Sequence, residues 1–198
     1  MPRQEPPEDR ERQIIEAAMA VFAREGFHEA RMEDIAKESQ LGKGTLYLYF
    51  KSKDAIIAAL LRYFFNVQLK RLRAIEGGEG SVSDLLMAYT RELVSEAERL
   101  VVFSSITFEF YAIAMRDKEV RRFFGEFFSG YRAALIRVIQ RGIASGEFRA
   151  VDPDEIAVTI IALLEGLNLL NTVDRSALRI RETAESGMRL LLDAIKAR

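Results

Sequence analysis

The chain has 198 residues, of which 49% are hydrophobic and 30% charged, and its formal net charge is -1. This is a globular composition, and no global basic field advertises nucleic acid. With no cysteine and one histidine, disulfides, thiolate nucleophiles and multi-histidine metal sites are excluded, and no cofactor or metal is expected.

Only four prolines occur, three in the first seven residues and the last at Pro153. Helix breakers are almost absent in between, which points to an all-α fold. Met1 to Arg12 is polar and charged and lacks the apolar stretch of a secretory leader. The longest apolar run, Ile156 to Leu164, is interrupted by Thr159 and ended by Glu165. That is short of the ~20 residues of a membrane span. A cytoplasmic protein with no membrane partner is expected.

Residues 1–7 read as a loose tail. A first helix starts near Glu8, carries Ile14, Ala18, Val21 and Phe22 on one face, and ends at Gly26 in a left-handed turn. Met32 to Ser39 is a short helix, Gln40 to Gly42 a turn, and Lys43 to Phe50 a second short helix. Ser52 is placed to cap a long helix through Ile56, Leu60 and Phe64 to about Ala74. Gly77 to Gly80 is the clearest loop, and Ser81 with Asp84 opens the next helix. Further helices are predicted from about Phe103 to Met115, and from an Asp117 cap to Gly146. The next runs from an Asp152-Pro153 start to about Asn171, and the last from about Ser176 to the end. About nine helices result.

A short helix, a three-residue turn and a second short helix form a helix-turn-helix. The residues go further. Ile14 to Ala18, Phe22 to Phe27, Ile35-Ala36 and the run Lys43-Gly44-Thr45-Leu46-Tyr47-Leu48-Tyr49-Phe50-Lys51-Ser52-Lys53-Asp54 resemble the tetracycline-repressor (TetR/AcrR-type) family of bacterial regulators. The resemblance covers about residues 10 to 62. It implies an all-α homodimer with an operator-binding N-terminal domain, 8–53, and an effector-binding and dimerisation domain, 54–198.

The residue chemistry agrees. Ser39 to Lys53 holds three lysines and no acid. Lys43 and Thr45 open a helix whose N–H groups can face phosphate, and Gly44 permits close backbone approach. Tyr47 offers a hydroxyl to phosphate or a base edge. Leu48 either meets a thymine methyl or packs inward. The resemblance implies that Tyr49 contacts the DNA backbone and that Lys53 contacts phosphate. Where the family usually caps the second helix with a hydroxyl, Ala30 and Arg31 stand here, so Arg31 is assigned to phosphate by charge. Gln40 replaces a customary glycine and is expected at positive φ.

Thirteen phenylalanines without tryptophan, concentrated between residues 103 and 131, suggest an apolar lining. The effector candidates are Phe64, Met87, Phe103, Phe110, Met115, Phe124, Phe127, Phe128, Tyr131 and Asn168, for an elongated hydrophobic molecule. The last two helices form the expected homodimer interface through Ile156, Ile160, Leu163, Leu167, Leu170, Ile180, Ala184, Met188, Leu191 and Ile195. The reading is a DNA-binding repressor released from a palindromic operator by a hydrophobic effector. The alternative is a helical carrier of hydrophobic ligands with a vestigial helix-turn-helix. No nucleophile–base pair or carboxylate dyad marks an enzyme.

Overall fold

The computed structural model describes residues 7–99, 101–176 and 179–197. They form nine helices: α1 Pro7–Glu25, α2 Met32–Glu38, α3 Lys43–Tyr49, α4 Lys53–Gly77, α5 Val82–Arg99, α6 Val101–Ala114, α7 Lys118–Ala144, α8 Pro153–Val173 and α9 Ile180–Ile195. Among the described residues the only extended pairing is an isolated bridge between Phe148 and Lys196. The all-α expectation holds.

Most of the predicted tail lies outside the described residues, and Pro7 is already helical, at a position where its missing N–H costs nothing. Gly77 completes α4 rather than opening the loop. Ser176 is not helical: its N–H and hydroxyl both bond Asp174 Oδ1, and α9 begins at Ile180.

The chain divides into two compact units, one ending at Phe65 and the other beginning at Asn66. The predicted boundary at 53/54 therefore moves by roughly three helical turns. The reason is the start of α4, where Ile56, Ile57, Leu60 and Leu61 are buried. They join Ile14, Ala18, Val21, Phe22, Ile35 and Leu46 in the core of the first unit. Gly26 ends α1 at φ 80°, its N–H on the Phe22 carbonyl at 2.9 Å, as its place in the sequence requires.

The second unit holds the rest of α4 and α5 to α9. Asp117 caps α7 through the N–H groups of Glu119 and Val120, and Asp152 caps α8 through that of Asp154. Gly142 lets α7 meet the following segment. A Cβ there would stand 2.2 Å from the Phe148 ring, which is itself buried. Phe148 is thus fixed, and the adjacent Glu147 is carried to the start of α5. There its carboxylate accepts from the Ser81 hydroxyl (2.8 Å) and from the N–H groups of Val82 (2.6 Å) and Ser83 (2.8 Å).

The faces of α8 and α9 correct the expected interface. Ile160, Leu167, Ile180, Ala184, Met188 and Ile195 are buried within the protomer. Leu167, Ile180 and Ala184 cluster with Val94, so none of the six is on the outside. Ile156, Leu163 and Leu191 are half-buried, and a Cβ on Gly187 would press on Leu163. Of the ten, Leu170 alone is exposed. The uncovered apolar side chains are instead Val158, Leu169, Leu170 and Val173 on α8 and Leu190 on α9, with Val173 at 79% and Leu190 at 69% exposure. The 21-residue α8 as a whole also has the length and apolar composition of a membrane span, which its broken central run had not suggested.

Partial burial pushes the Glu147 carboxyl up, but its bonds to Ser83, Ser81 and Val82 outweigh this and hold it below the ordinary carboxylate value. A carboxyl with a depressed folded pKa stabilises fully above its unfolded pKa and loses that contribution as pH falls through the folded value. Glu147→Gln is therefore expected to cost about 1 kcal/mol at pH 7, the scale of a lost N-cap, and to flatten the acid limb of stability. Urea midpoints at pH 7 and between pH 5 and 3 check this; parallel acid limbs in the two proteins count against the assignment.

Candidate functional site

The helix-turn-helix is built on an unusual start. Arg31 stands at the N-cap of α2 but supplies no side-chain cap. Its backbone N–H instead donates to the Asp34 carboxylate at 3.1 Å, while the Asp34 N–H returns to the Arg31 carbonyl at 3.0 Å. The Arg31 side chain is left exposed. At the other end of α2, the Leu41 N–H reaches the Ala36 carbonyl (3.0 Å) and the Gln40 N–H the Lys37 carbonyl (3.1 Å). This pair of bonds closes a helix through a left-handed residue. Gln40 accordingly has φ 56°, the sole non-glycine positive φ among the described residues. From α1, Gln13 Nε2 donates to the Ser39 carbonyl at 2.8 Å and fixes the turn.

Seven residues make α3. Leu46 is fully buried and Phe50 nearly so, and together they set the helix's rotation. Lys43, Gly44, Tyr47 and Leu48 then share the outward side. Leu48, 76% exposed, points to solvent and does not pack inward; Tyr47 is 39% exposed. Thr45 and Tyr49 flank this surface, half-buried. Lys43 Nζ lies 3.2 Å from Glu33 Oε1 on α2. Glu33's own backbone amide and then Lys43 hold that carboxyl below its usual value. Both side chains are exposed, so solvent screens the pair and a phosphate can replace Glu33 as partner.

Lys53 departs from its expected role. Its Nζ donates to the carbonyls of Phe27 (2.7 Å) and His28 (3.0 Å), and sits 4.8 Å from the centre of the Phe27 ring. The ammonium clamps the α1–α2 connection to the start of α4. Its side chain is committed within the first unit rather than presented to phosphate.

In the second unit the aromatic side chains form a continuous run. Tyr131 stacks on Phe127 at 5.5 Å between centroids, Phe127 meets Phe128 at 5.1 Å, and Tyr111 meets Phe124 at 4.6 Å and Phe128 at 6.0 Å. Met87, Phe103 and Phe110 are buried in the same unit. Asn168 accepts from the Ser104 hydroxyl at 3.1 Å. One expected member does not join them. Met115 is 80% exposed beyond the end of α6, its carbonyl taken by Arg121. Phe64 belongs to the first unit, against Phe65.

Polar groups thread this apolar interior. The hydroxyls of Tyr89 and Tyr131, both buried, lie 2.7 Å apart, and burial pushes both phenols up. The Tyr111 hydroxyl donates to Glu165 Oε2 at 3.2 Å. Burial raises the Glu165 carboxyl, and the Tyr111 bond offsets only part of that. Among the described residues no group of three or more acidic or histidine side chains could hold a metal ion.

Residues 14–60 match the family of bacterial regulatory proteins, tetR family, and residues 82–196 match the C-terminal domain of BetI-type transcriptional repressors. The chain belongs to the tetR family. It is a DNA-binding transcriptional regulator. An uncharacterized HTH-type transcriptional regulator of Bacillus subtilis, YfiR, is 30% identical over 147 residues, which cover 73% of this chain and 70% of that protein. The fatty acid metabolism regulator protein of the same organism is 26% identical over 140 residues, covering 69% and 70%. The crystal structure of FadR from Bacillus subtilis in complex with stearoyl-CoA shares the fold: TM-score 0.75 and 23% identity, over 93% of this chain and 98% of that one.

Within this regulator, sequence reasoning missed Glu96 of α5 and the two residues of α4 that donate to it, Gln68 and Arg71. The available signal was two polar residues three apart on an otherwise apolar helix face. In the helix-turn-helix, Gln40→Gly should raise stability by about 0.5–1 kcal/mol, because it removes left-handed strain and returns some of the gain as backbone entropy. The urea midpoint measures it; an unchanged midpoint means Gln40 holds its conformation without strain.

Proposed function

We propose that this regulator is a repressor that binds a palindromic operator as a homodimer and leaves it when a hydrophobic small molecule occupies the second unit. The observation that carries the reading is the division of α3. Leu46 anchors the helix, and Lys43, Gly44, Tyr47 and Leu48 are left to face DNA. In the major groove, Leu48 offers an apolar contact for a thymine methyl and Tyr47 a hydroxyl for a base edge or phosphate. Lys43, Thr45, Tyr49 and Arg31 serve the backbone. Lys53 supports them by holding the α1–α2 connection.

Homodimerisation is proposed through α8 and α9, on the uncovered face of Val158, Leu169, Val173 and Leu190. Several exposed large apolar side chains on two neighbouring helices mark an interaction surface, and two helices from each subunit make a four-helix interface. A twofold axis would set two recognition helices ~34 Å apart, or at a multiple of that, and so favours a palindrome.

The aromatic run in the second unit suits an elongated apolar effector, and the stearoyl-CoA held by a protein of the same fold supports that class. The effector acts by binding one dimer shape more tightly than another. This role needs no catalysis and places the protein in the cytoplasm with its operator.

Selection of random duplex DNA by the purified protein at moderate salt should recover a palindrome; recovery of no motif moves the hydrophobic-carrier reading ahead. Lys43→Ala should weaken operator binding and lower the salt slope by about one, whereas an unchanged slope takes Lys43 off phosphate. Leu169→Glu should shift the protein to monomers in sedimentation velocity and weaken operator binding with it. A dimer that survives this change uses another face.

A further inference from the structure

Gln68 and Arg71 lie three residues apart on the second half of α4, on one helix face. Gln68 is 2% exposed. Its Nε2 donates to Glu96 Oε2 at 2.9 Å, and Arg71 Nη2 donates to Glu96 Oε1 at 2.5 Å. Arg71 Nε is also 3.5 Å from Glu92 Oε2. Glu96, ion-paired with Arg71, accepts from both side chains, so the orientation of the Gln68 amide is fixed. Two atoms of this cluster are buried without a hydrogen-bond partner: Gln68 Oε1, an acceptor, and Arg71 Nη1, a donor. A buried polar atom left unpaired costs about 1–3 kcal/mol. A complementary pair around one carboxylate is a departure from how interiors are built.

We infer that Gln68 and Arg71 read the polar head of the effector, and that this head is neutral and both accepts and donates a hydrogen bond, as a hydroxyl or a primary amide does. The inference rests on the effector reading above. Charge decides the class. Arg71 is balanced by Glu96 and Glu92, so an anionic head would meet two carboxylates and a cationic head would meet the guanidinium. A head that only accepts, such as an ester, satisfies Arg71 Nη1 and leaves Gln68 Oε1 unpaired. A hydroxyl or amide satisfies both. The tail has apolar neighbours in the same unit: Tyr89 of α5 bonds Tyr131, and Tyr131 stacks on Phe127 beside Phe128. The second unit is thus polar at the α4–α5 pair and aromatic along α7, which fits an amphipathic molecule.

The test uses the purified full-length protein and a fluorescent apolar reporter, N-phenyl-1-naphthylamine. Dodecanamide, dodecan-1-ol and methyl dodecanoate compete for the reporter's site, and the reporter's own affinity, measured for each variant, normalises the competition. The readout is the ratio of ester to amide inhibition constants in wild type against variant, which cancels their different hydrophobicities. Gln68→Met removes the acceptor and should lower that ratio by about tenfold. Arg71→Lys keeps a charge for Glu96 but loses Nη1, and should weaken alcohol, amide and ester alike. A ratio unchanged in Gln68→Met overturns the head-group assignment and leaves the pair to a structural water. If the reporter and all three competitors fail to bind the wild type, the apolar-effector reading itself falls, and the assignment falls with it.

Discussion

A seven-residue helix cannot sustain itself in water, because nucleation costs more than so few backbone bonds return. The second helix of the helix-turn-helix is such a helix. Leu46 and Phe50 supply what α3 lacks: both are buried, and together they hold its rotation. The outward side then follows. Lys43, Gly44, Tyr47 and Leu48 have nowhere else to point once Leu46 is inside. The turn before α3 is held just as locally, by the bond from Gln13 to Ser39 and by the left-handed conformation of Gln40. Precision in this site comes from a few buried contacts rather than from helix propensity.

The second unit treats its polar groups differently according to their surroundings. Glu147 is only partly buried and collects three donors at the start of α5, which keeps it ionised. Glu165 has one phenol and an aromatic neighbourhood, and its carboxyl is raised. The same side chain serves as a helix cap in one place and as a poorly solvated acid in the other. Partner count against desolvation makes the difference.

Helix number, caps and the short helix after the turn were legible in the sequence because each has a local cause. Gly26, Asp117, Asp152 with Pro153, and Gln40 act through their own backbone, and the structure shows them doing so. What was not legible depends on which side of a helix meets another helix. Apolar spacing marks the buried stripe of α9, Ile180 to Ile195, but it cannot tell whether that stripe faces the same protomer or a partner. It faces the same protomer. On α8, apolar nearly all round, Ile160 and Leu167 turned inward and Val158, Leu169 and Val173 outward. Met115 stood among aromatic residues in the sequence but beyond the last turn of α6 in space. Lys53 went to the carbonyls of Phe27 and His28, a pairing across some twenty-five residues that no local pattern displays.

Regulation requires that an effector prefer one shape, and a preference must be carried by a physical element. The element that carries residues of both units is α4. Its first turns bury Ile56, Ile57, Leu60 and Leu61 in the first unit, and its later turns carry Gln68 and Arg71 in the second. Ile56 and Ile57 are fully buried in the first unit. Those residues share a core with Leu46, the residue that sets how α3 faces outward. A ligand that pairs Gln68 Oε1 and Arg71 Nη1 acts on the part of α4 that lies in the second unit. The energy it has to spend there is the pairing of two buried groups that are unpaired without it.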